Sequence, residues 1–376
     1  MQQIKLLAQR QTEEIVLKTN RGNCRRKIVL CSVLGVRYVL TVVKLFKNNI
    51  RVKKMKKNFI LMMAVVFAAF GAQSCLKSDN DYKKQQKVDD KILAEFVATS
   101  AATATRHSEG FYYMNIPSMT LDAIPNSGKE LKKDDVVSFN YKISLLNGNV
   151  IETNVGDVSE GSQPAMIKLM TYTVIPEAID YGIRLMKVGE TFRFFIPSYL
   201  AYGSFSTKDF GPHSNFIVDI EVTGVQSESE LDDIQRDSIA NYVAANYSNL
   251  EFKEYASGLY MIDSIAGEGD RPFSNSIVIL DFARKYLDET LIHSVNGAEV
   301  FLDRGMAVQG LEEGIKLTRE GGTSILIMPA SIGFKQSVCV IPEKARDPLF
   351  RSQIINNNVR PYSILKYVLK LKVVNL

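Results

Sequence analysis

Tryptophan is absent from the 376 residues, histidine occurs three times and cysteine four times. Each scarcity removes a class of chemistry. His107, His213 and His293 stand far apart, with no metal-ligand spacing and no Cys cluster near them, so no metal centre is expected. Cys24, Cys31 and Cys75 crowd into the N-terminal part. Cys339 is alone in the remainder, which leaves that part no intrachain disulfide. In SVCVIP it reads as a small buried apolar residue. LEEGIKLTREGG (311–322) carries glycines but no phosphate-loop lysine pattern after a strand. No cofactor is expected.

Acidic residues are scarce at one end only. Residues 1–74 hold 15 Lys+Arg and 2 Asp+Glu, a net of +13, so the rest of the chain carries −8 and the formal total is +5. A basic total built this way describes the leader and not the body. A nucleic-acid partner is therefore not expected.

The segment MKKNFILMMAVVFAAFGAQSC (55–75) explains the excess. Two lysines follow Met55, and a thirteen-residue apolar run spans Phe59 to Gly71. Small or polar residues then lead to Cys75. This order reads as a secretory signal peptide over 55–74; the alternative is a single membrane anchor, for which the run is short. Ala72-Gln73-Ser74-Cys75 resembles the cleavage box of bacterial lipoproteins, which implies lipidation of Cys75. Residues 1–54 read either as translation upstream of a start at Met55 or as a membrane-associated extension. The polar stretch after Cys75 reads as a flexible tether over 75–87.

The body repeats one plan. VVSFNYKISLLNGNVIET (136–153) matches IVILDFARKYLDETLIHS (277–294). VIPEAIDYGIRLMKVGETFRFFIPSYLAYG (174–203) matches AVQGLEEGIKLTREGGTSILIMPASIGFK (307–335), and an offset of 132 holds across helix and loop. SNFIVDIEVTGV (214–225) matches YSILKYVLKLKVV (362–374). The boundary falls in QSESELDD, giving copies over 88–227 and 228–376. Each copy opens with a short amphipathic helix: Ile92, Phe96 and Val97 make one apolar face, and Ile239, Tyr242 and Val243 the other. Val137, Phe139 and Tyr141 alternate with polar residues, as in a half-buried strand. Asn147-Gly148 signals a hairpin turn. Ile175, Ile179, Ile183 and Met186 predict a helix face. Each copy is thus antiparallel strands with one short helix, an α+β plan.

The run VIP–helix–LMKVGE–strand–IPSYLAYG, followed by a long loop and a strand with Asp219 and Glu221, resembles the FKBP-type peptidyl-prolyl cis-trans isomerases. The lipoprotein signal and tandem layout look like envelope proteins of Bacteroidetes-type bacteria. The resemblance implies tandem FKBP-like domains, each a sheet wrapped around a short helix, with a prolyl pocket between them. It implies proline-containing polypeptide segments as partners, and a lipid-anchored place in the cell envelope, at the periplasmic side of an outer membrane or the cell surface. Carried over by position, Tyr141, Glu152 and Tyr202 become catalytic candidates, Tyr202 being the tyrosine whose hydroxyl bonds the ligand carbonyl. Ile151, Val174, Ile175, Ile179 and Phe210 become pocket residues. Ile179 stands where the family usually has tryptophan, and Ile151 and Glu152 where it has Phe and Asp. In the second copy Phe282, His293, Leu311 and Phe334 replace the tyrosine, the acid, the floor and the Tyr202 equivalent. Both hydroxyls and the carboxylate are gone, so activity is expected of the first copy alone. The alternative is a pair of non-catalytic modules that bind peptides or mediate assembly.

Overall fold

The computed structural model describes residues 81–121, 123–156 and 163–375. The signal segment, Cys75 and residues 1–54 lie outside the described residues. Lys83–Leu376 form one compact unit.

The first described element is helix α1, over 81–100. Residues 81–87, read above as tether, are therefore helical. Their polarity fits an exposed helix surface as well as a coil, and Gln85 bonds Asp89 one turn on at 2.8 Å. The buried stripe of α1 is Asp89, Leu93 and Val97, with Phe96 half-buried. Ile92, expected on that face, is exposed. The helix is also longer than predicted.

The first copy continues through β1 (Thr105–Arg106), β2 (Tyr112–Asn115), β3 (Val136–Leu145), β4 (Val150–Thr153), β5 (Ala165–Lys168), β6 (Val174–Ile175), α2 (Ala178–Ile183), β7 (Thr191–Ile196) and β8 (Phe216–Gln226). The second comprises α3 (Glu228–Asn246), β9 (Phe252–Glu254), β10 (Tyr260–Ile265), β11 (Ile277–Lys285), β12 (Leu291–Phe301), α4 (Gln309–Leu317), β13 (Thr323–Met328), β14 (Cys339–Val340), α5 (Arg346–Arg351) and β15 (Leu365–Asn375). Ser227 caps α3 by a reciprocal exchange with Glu230, so the acidic run at the boundary starts a helix.

The first sheet runs β1-β2-β7-β8-β3-β4 with β5 also on β3, and the second β9-β10-β13-β15-β11-β12. Within each sheet the neighbouring strands are antiparallel. The two orders correspond strand for strand, and β7 and β13 keep the offset at both ends. The difference is local. The strand pairing with β3 comes as two pieces, β4 and β5, whereas β12 is continuous.

Each sheet is covered on both faces. On one side lies the short helix. Ile179 and Ile183 of α2 are fully buried with Met186, and the helix rests on Phe194 through Gly182. Gly314 meets Leu326 in the same way in the second copy. On the other side, α1 packs Leu93 and Val97 against Phe195, with Ala101 just beyond its end in the same cluster, and α3 packs Ile239 and Val243 against Tyr260 and Ile327. This explains why Phe195 is buried alongside Phe194. Ile175, expected on the helix face, belongs to β6 instead, because Pro176 cannot donate a helical hydrogen bond and sets the start of α2.

The acids of β8 are structural. Asp219 takes both ends of the Arg193 fork at 2.7 and 2.8 Å. Glu221 is fully buried, and accepts from the Ser118 hydroxyl at 2.5 Å, the Met119 N–H at 3.0 Å and the Thr191 hydroxyl at 3.2 Å.

Candidate functional site

The eight residues predicted for the first copy's site meet in one place. Tyr141, Ile151, Val174, Ile179, Tyr202 and Phe210 share one buried cluster, with Ile175 packed on it. Glu152 stands at its rim, accepting the Tyr141 hydroxyl at 2.5 Å. The fold makes this convergence from four places. The inward alternation of β3 turns Tyr141 into the core, and the Asn147-Gly148 turn returns β4 so that Ile143 faces Glu152. Val174 and Ile175 lead into α2, whose first turn supplies Ile179. After β7, Pro197 opens a single 3-10 turn, Ser198–Leu200, that delivers Tyr202. Phe210 comes back along the next loop and lies 4.7 Å from the Tyr202 ring, centre to centre.

Burial holds both tyrosines protonated. Tyr202 is pushed well above the ordinary phenol range by burial, then by the neighbouring Cys339 and Glu152. Burial and then the Glu152 charge do the same to Tyr141. At neutral pH each therefore offers a hydroxyl proton.

The Tyr202 hydroxyl has a partner that the sequence reading missed. It donates to the carbonyl of Ile341, 2.9 Å away, in the second copy. The next residue is Pro342, which is buried. The contact extends in both directions. Upstream, β14 pairs parallel with β6, Cys339 opposite Val174 and Val340 opposite Ile175. Cys339 N–H reaches Thr173 O at 2.8 Å and Ile341 N–H reaches Ile175 O at 2.9 Å. Downstream, the Glu343 and Lys344 N–H groups donate to Glu152 at 2.5 and 3.2 Å. Cys339, Val340, Ile341, Ala345, Leu349 and Ile355 are all part of the first copy's core cluster. A cleft of about 260 Å³ remains beside this segment, between Tyr172, Ile175, Tyr202 and Phe205 on one wall and Leu349 and Ile354 on the other.

A signal for this contact was present in the chain: the tetrapeptide Val-Ile-Pro-Glu occurs twice, at 174–177 and 340–343. A second was loop length. Between Tyr202 and β8 the first copy has thirteen residues (203–215), whereas between Phe334 and β15 the second has thirty (335–364). The excess forms β14, a 3-10 turn and α5.

The second copy's own equivalent site differs as its substitutions suggest. Phe282 packs near His293 and Tyr367, Leu311 is buried, and His293 is exposed. The Arg284 guanidinium lies 4.7 Å from the Phe334 ring centre, so a charge stands where the first copy has an apolar wall. Among the described residues no group of three His, Cys, Asp or Glu side chains is placed to hold a metal ion.

Comparison with known proteins bears on the same region. The family model for FKBP-type peptidyl-prolyl cis-trans isomerase matches residues 128–223, a span that contains all eight site residues. FK506-binding protein 2 of Yarrowia lipolytica is 33% identical over 107 residues, which is 28% of this chain and 71% of that protein. The FKBP-type peptidyl-prolyl cis-trans isomerase FkpA of Aeromonas hydrophila is 27% identical over 150 residues, 40% of this chain and 50% of the relative. The chain thus spans about half the length of that relative. A crystal structure of the three FKBP domains of wheat FKBP73 aligns with 71% of this chain and 95% of its own, at 14% identity and a TM-score of 0.27, too low to carry an argument. The chain belongs to the FKBP-type peptidyl-prolyl cis-trans isomerase family, and its fold is a tandem of two FKBP-like α+β domains.

Proposed function

We propose that the first copy isomerises X–Pro bonds in exported polypeptides, and that the second copy does not. The observation that carries this is the Tyr202 hydroxyl donating to a carbonyl whose residue precedes a proline, within a wall of Val174, Ile175, Ile179 and Phe210. Rotation about X–Pro is opposed by amide resonance, a barrier of roughly 18–20 kcal/mol. Twisting removes the charge separation that water stabilises, so an apolar, water-poor pocket favours the twisted amide. A fixed hydroxyl then holds the carbonyl while the prolyl ring turns. Tyr141 and Glu152 form one bonded pair at the rim, where the carboxylate takes the backbone N–H groups after the proline. The chemistry uses no nucleophile.

Secretion through the 55–74 signal and a lipid on Cys75 would place this activity in the cell envelope. Incorporation of labelled palmitate into the chain, lost in Cys75→Ser, checks the anchor.

Tyr202→Phe tests the residue assignment. Because the 338–349 segment fills the pocket, the comparison is made on Ile341→Asp, which sets a carboxylate into the apolar wall near Glu152 and expels the segment. Exchange NMR on a short Leu-Pro peptide should show turnover falling about tenfold on loss of the hydroxyl, the scale of one buried hydrogen bond. Peptide affinity should change little. Unchanged turnover would remove Tyr202 from the mechanism.

A further inference from the structure

The second copy presents Ile341-Pro342 to the first copy's pocket in the way the proposed reaction requires of a substrate. The carbonyl before the proline is on Tyr202. The residues before it extend along β6 by paired backbone hydrogen bonds, a mode in which the main chain supplies affinity and alternate side chains supply selectivity. The N–H groups after it are on Glu152. Ile341 is fully buried and Cys339 and Val340 nearly so.

The segment is also braced from its own side. Arg346, almost wholly buried, donates to the Val338 carbonyl at 2.7 Å, the Val359 carbonyl at 3.0 Å and both oxygens of Glu343 at 2.8 and 3.0 Å. Arg360 reaches the same Glu343 carboxylate at 3.3 Å. The Glu343 side chain is thus turned back into its own loop while its N–H faces Glu152. Shaping the loop before it docks lowers the entropy lost on docking. The second copy lacks both hydroxyls of the first but has the longer loop, so it is built as a ligand rather than as a second site.

Resting on the isomerase reading for the site itself, we propose that the 338–349 loop is a tethered X–Pro ligand. It closes the first copy's pocket until a client segment of aliphatic–Pro type displaces it. A tether of this kind presents its ligand at an effective concentration in the millimolar range. A free copy of the loop must therefore reach about that concentration to compete, whatever its intrinsic affinity.

Cys339 reports the displacement. Its thiol is buried in the first copy's core cluster in the docked loop, where burial raises its pKa to about 12 and suppresses the reactive thiolate. The experiment is iodoacetamide labelling of the full chain, with Cys339 read by peptide mass so that Cys24, Cys31 and Cys75 do not contribute. The peptide acetyl-AVIPEK-amide at about 10 mM should speed Cys339 labelling about tenfold, and acetyl-AVIAEK-amide should not. In parallel, Ile341→Asp should show about tenfold higher isomerase activity than the unmodified chain, with Pro342→Ala intermediate. Cys339 labelling indifferent to the proline peptide would overturn the proposal, and so would Ile341→Asp that folds but turns over no faster than the unmodified chain while that chain is active. Peptide-dependent labelling with no isomerase activity in any variant would uphold the tethered ligand and defeat the isomerase reading instead.

Discussion

Gly182→Val destabilises the first copy by about 3 kcal/mol and removes its pocket, while Gly314→Val leaves the pocket standing. A Cβ at Gly182 would lie 2.5 Å from the Phe194 ring, and one at Gly314 2.2 Å from a Leu326 methyl. Phe194 cannot step aside. It is fully buried, with Phe111 edge-on and Phe192 tilted against it. The helix must lift, and Ile179 and Ile183 lift with it. Gly182→Ala is expected to be milder, since the smaller clash is partly offset by alanine's better helix propensity, worth about 1 kcal/mol. Chemical denaturation followed by circular dichroism measures the loss, and binding of a Leu-Pro peptide, compared on the Ile341→Asp background that frees the pocket, reports the site. A Gly182→Val chain that binds peptide normally would show that α2 does not support the site.

Glu221→Ala is expected to cost about 3 kcal/mol. The substitution leaves the Ser118 and Thr191 hydroxyls and the Met119 N–H without their shared acceptor. Glu221 also gives the first copy a pH dependence. Burial alone would raise its carboxyl, but hydrogen bonds from Ser118, Thr120 and Met119 outweigh burial and hold it below the usual range. A folded-state pKa below the unfolded one means the stabilisation is complete above the unfolded carboxylate value, about 4.3. It is lost as pH falls through the lower, folded value. Denaturation midpoints measured from pH 6 down to pH 2 should therefore fall in the parent chain. They should fall less in Glu221→Ala, and equal slopes would contradict the assignment.

The legible parts of this chain were those written in local pattern. The duplicated order of strands, the short helix and the Asn147-Gly148 turn follow from period, offset and turn residues within single segments. The eight candidate site residues followed from the resemblance carried by Tyr141, Val174-Ile175 and IPSYLAYG, and they converge where the β3–β4 hairpin, β6, α2 and the loop after β7 meet. Polarity misled where two structures share it. The surface of α1 over 81–87 is as polar as a tether, and Ile92 lies on its exposed side although its neighbours Leu93 and Phe96 do not. Ile175 fits a helical spacing, but Pro176 ends the strand there. The contact of Tyr202 with Ile341 was out of reach because it joins residues 139 apart in sequence. Neither copy alone contains that contact, and its traces, the repeated Val-Ile-Pro-Glu and the long second loop, acquire meaning only once β14 is seen beside β6.

Proline-limited refolding of an unrelated protein tests the central claim most directly. The uncatalysed phase lasts tens to hundreds of seconds at about 25 °C, slow enough for acceleration to be unambiguous. The Ile341→Asp chain, added at one tenth of the refolding protein's concentration, should shorten that phase severalfold, and the added substitution Tyr202→Phe should restore most of the delay. A slow phase left unchanged by Ile341→Asp, even at equal concentration, would contradict the account and leave the pocket as a peptide-binding site without turnover.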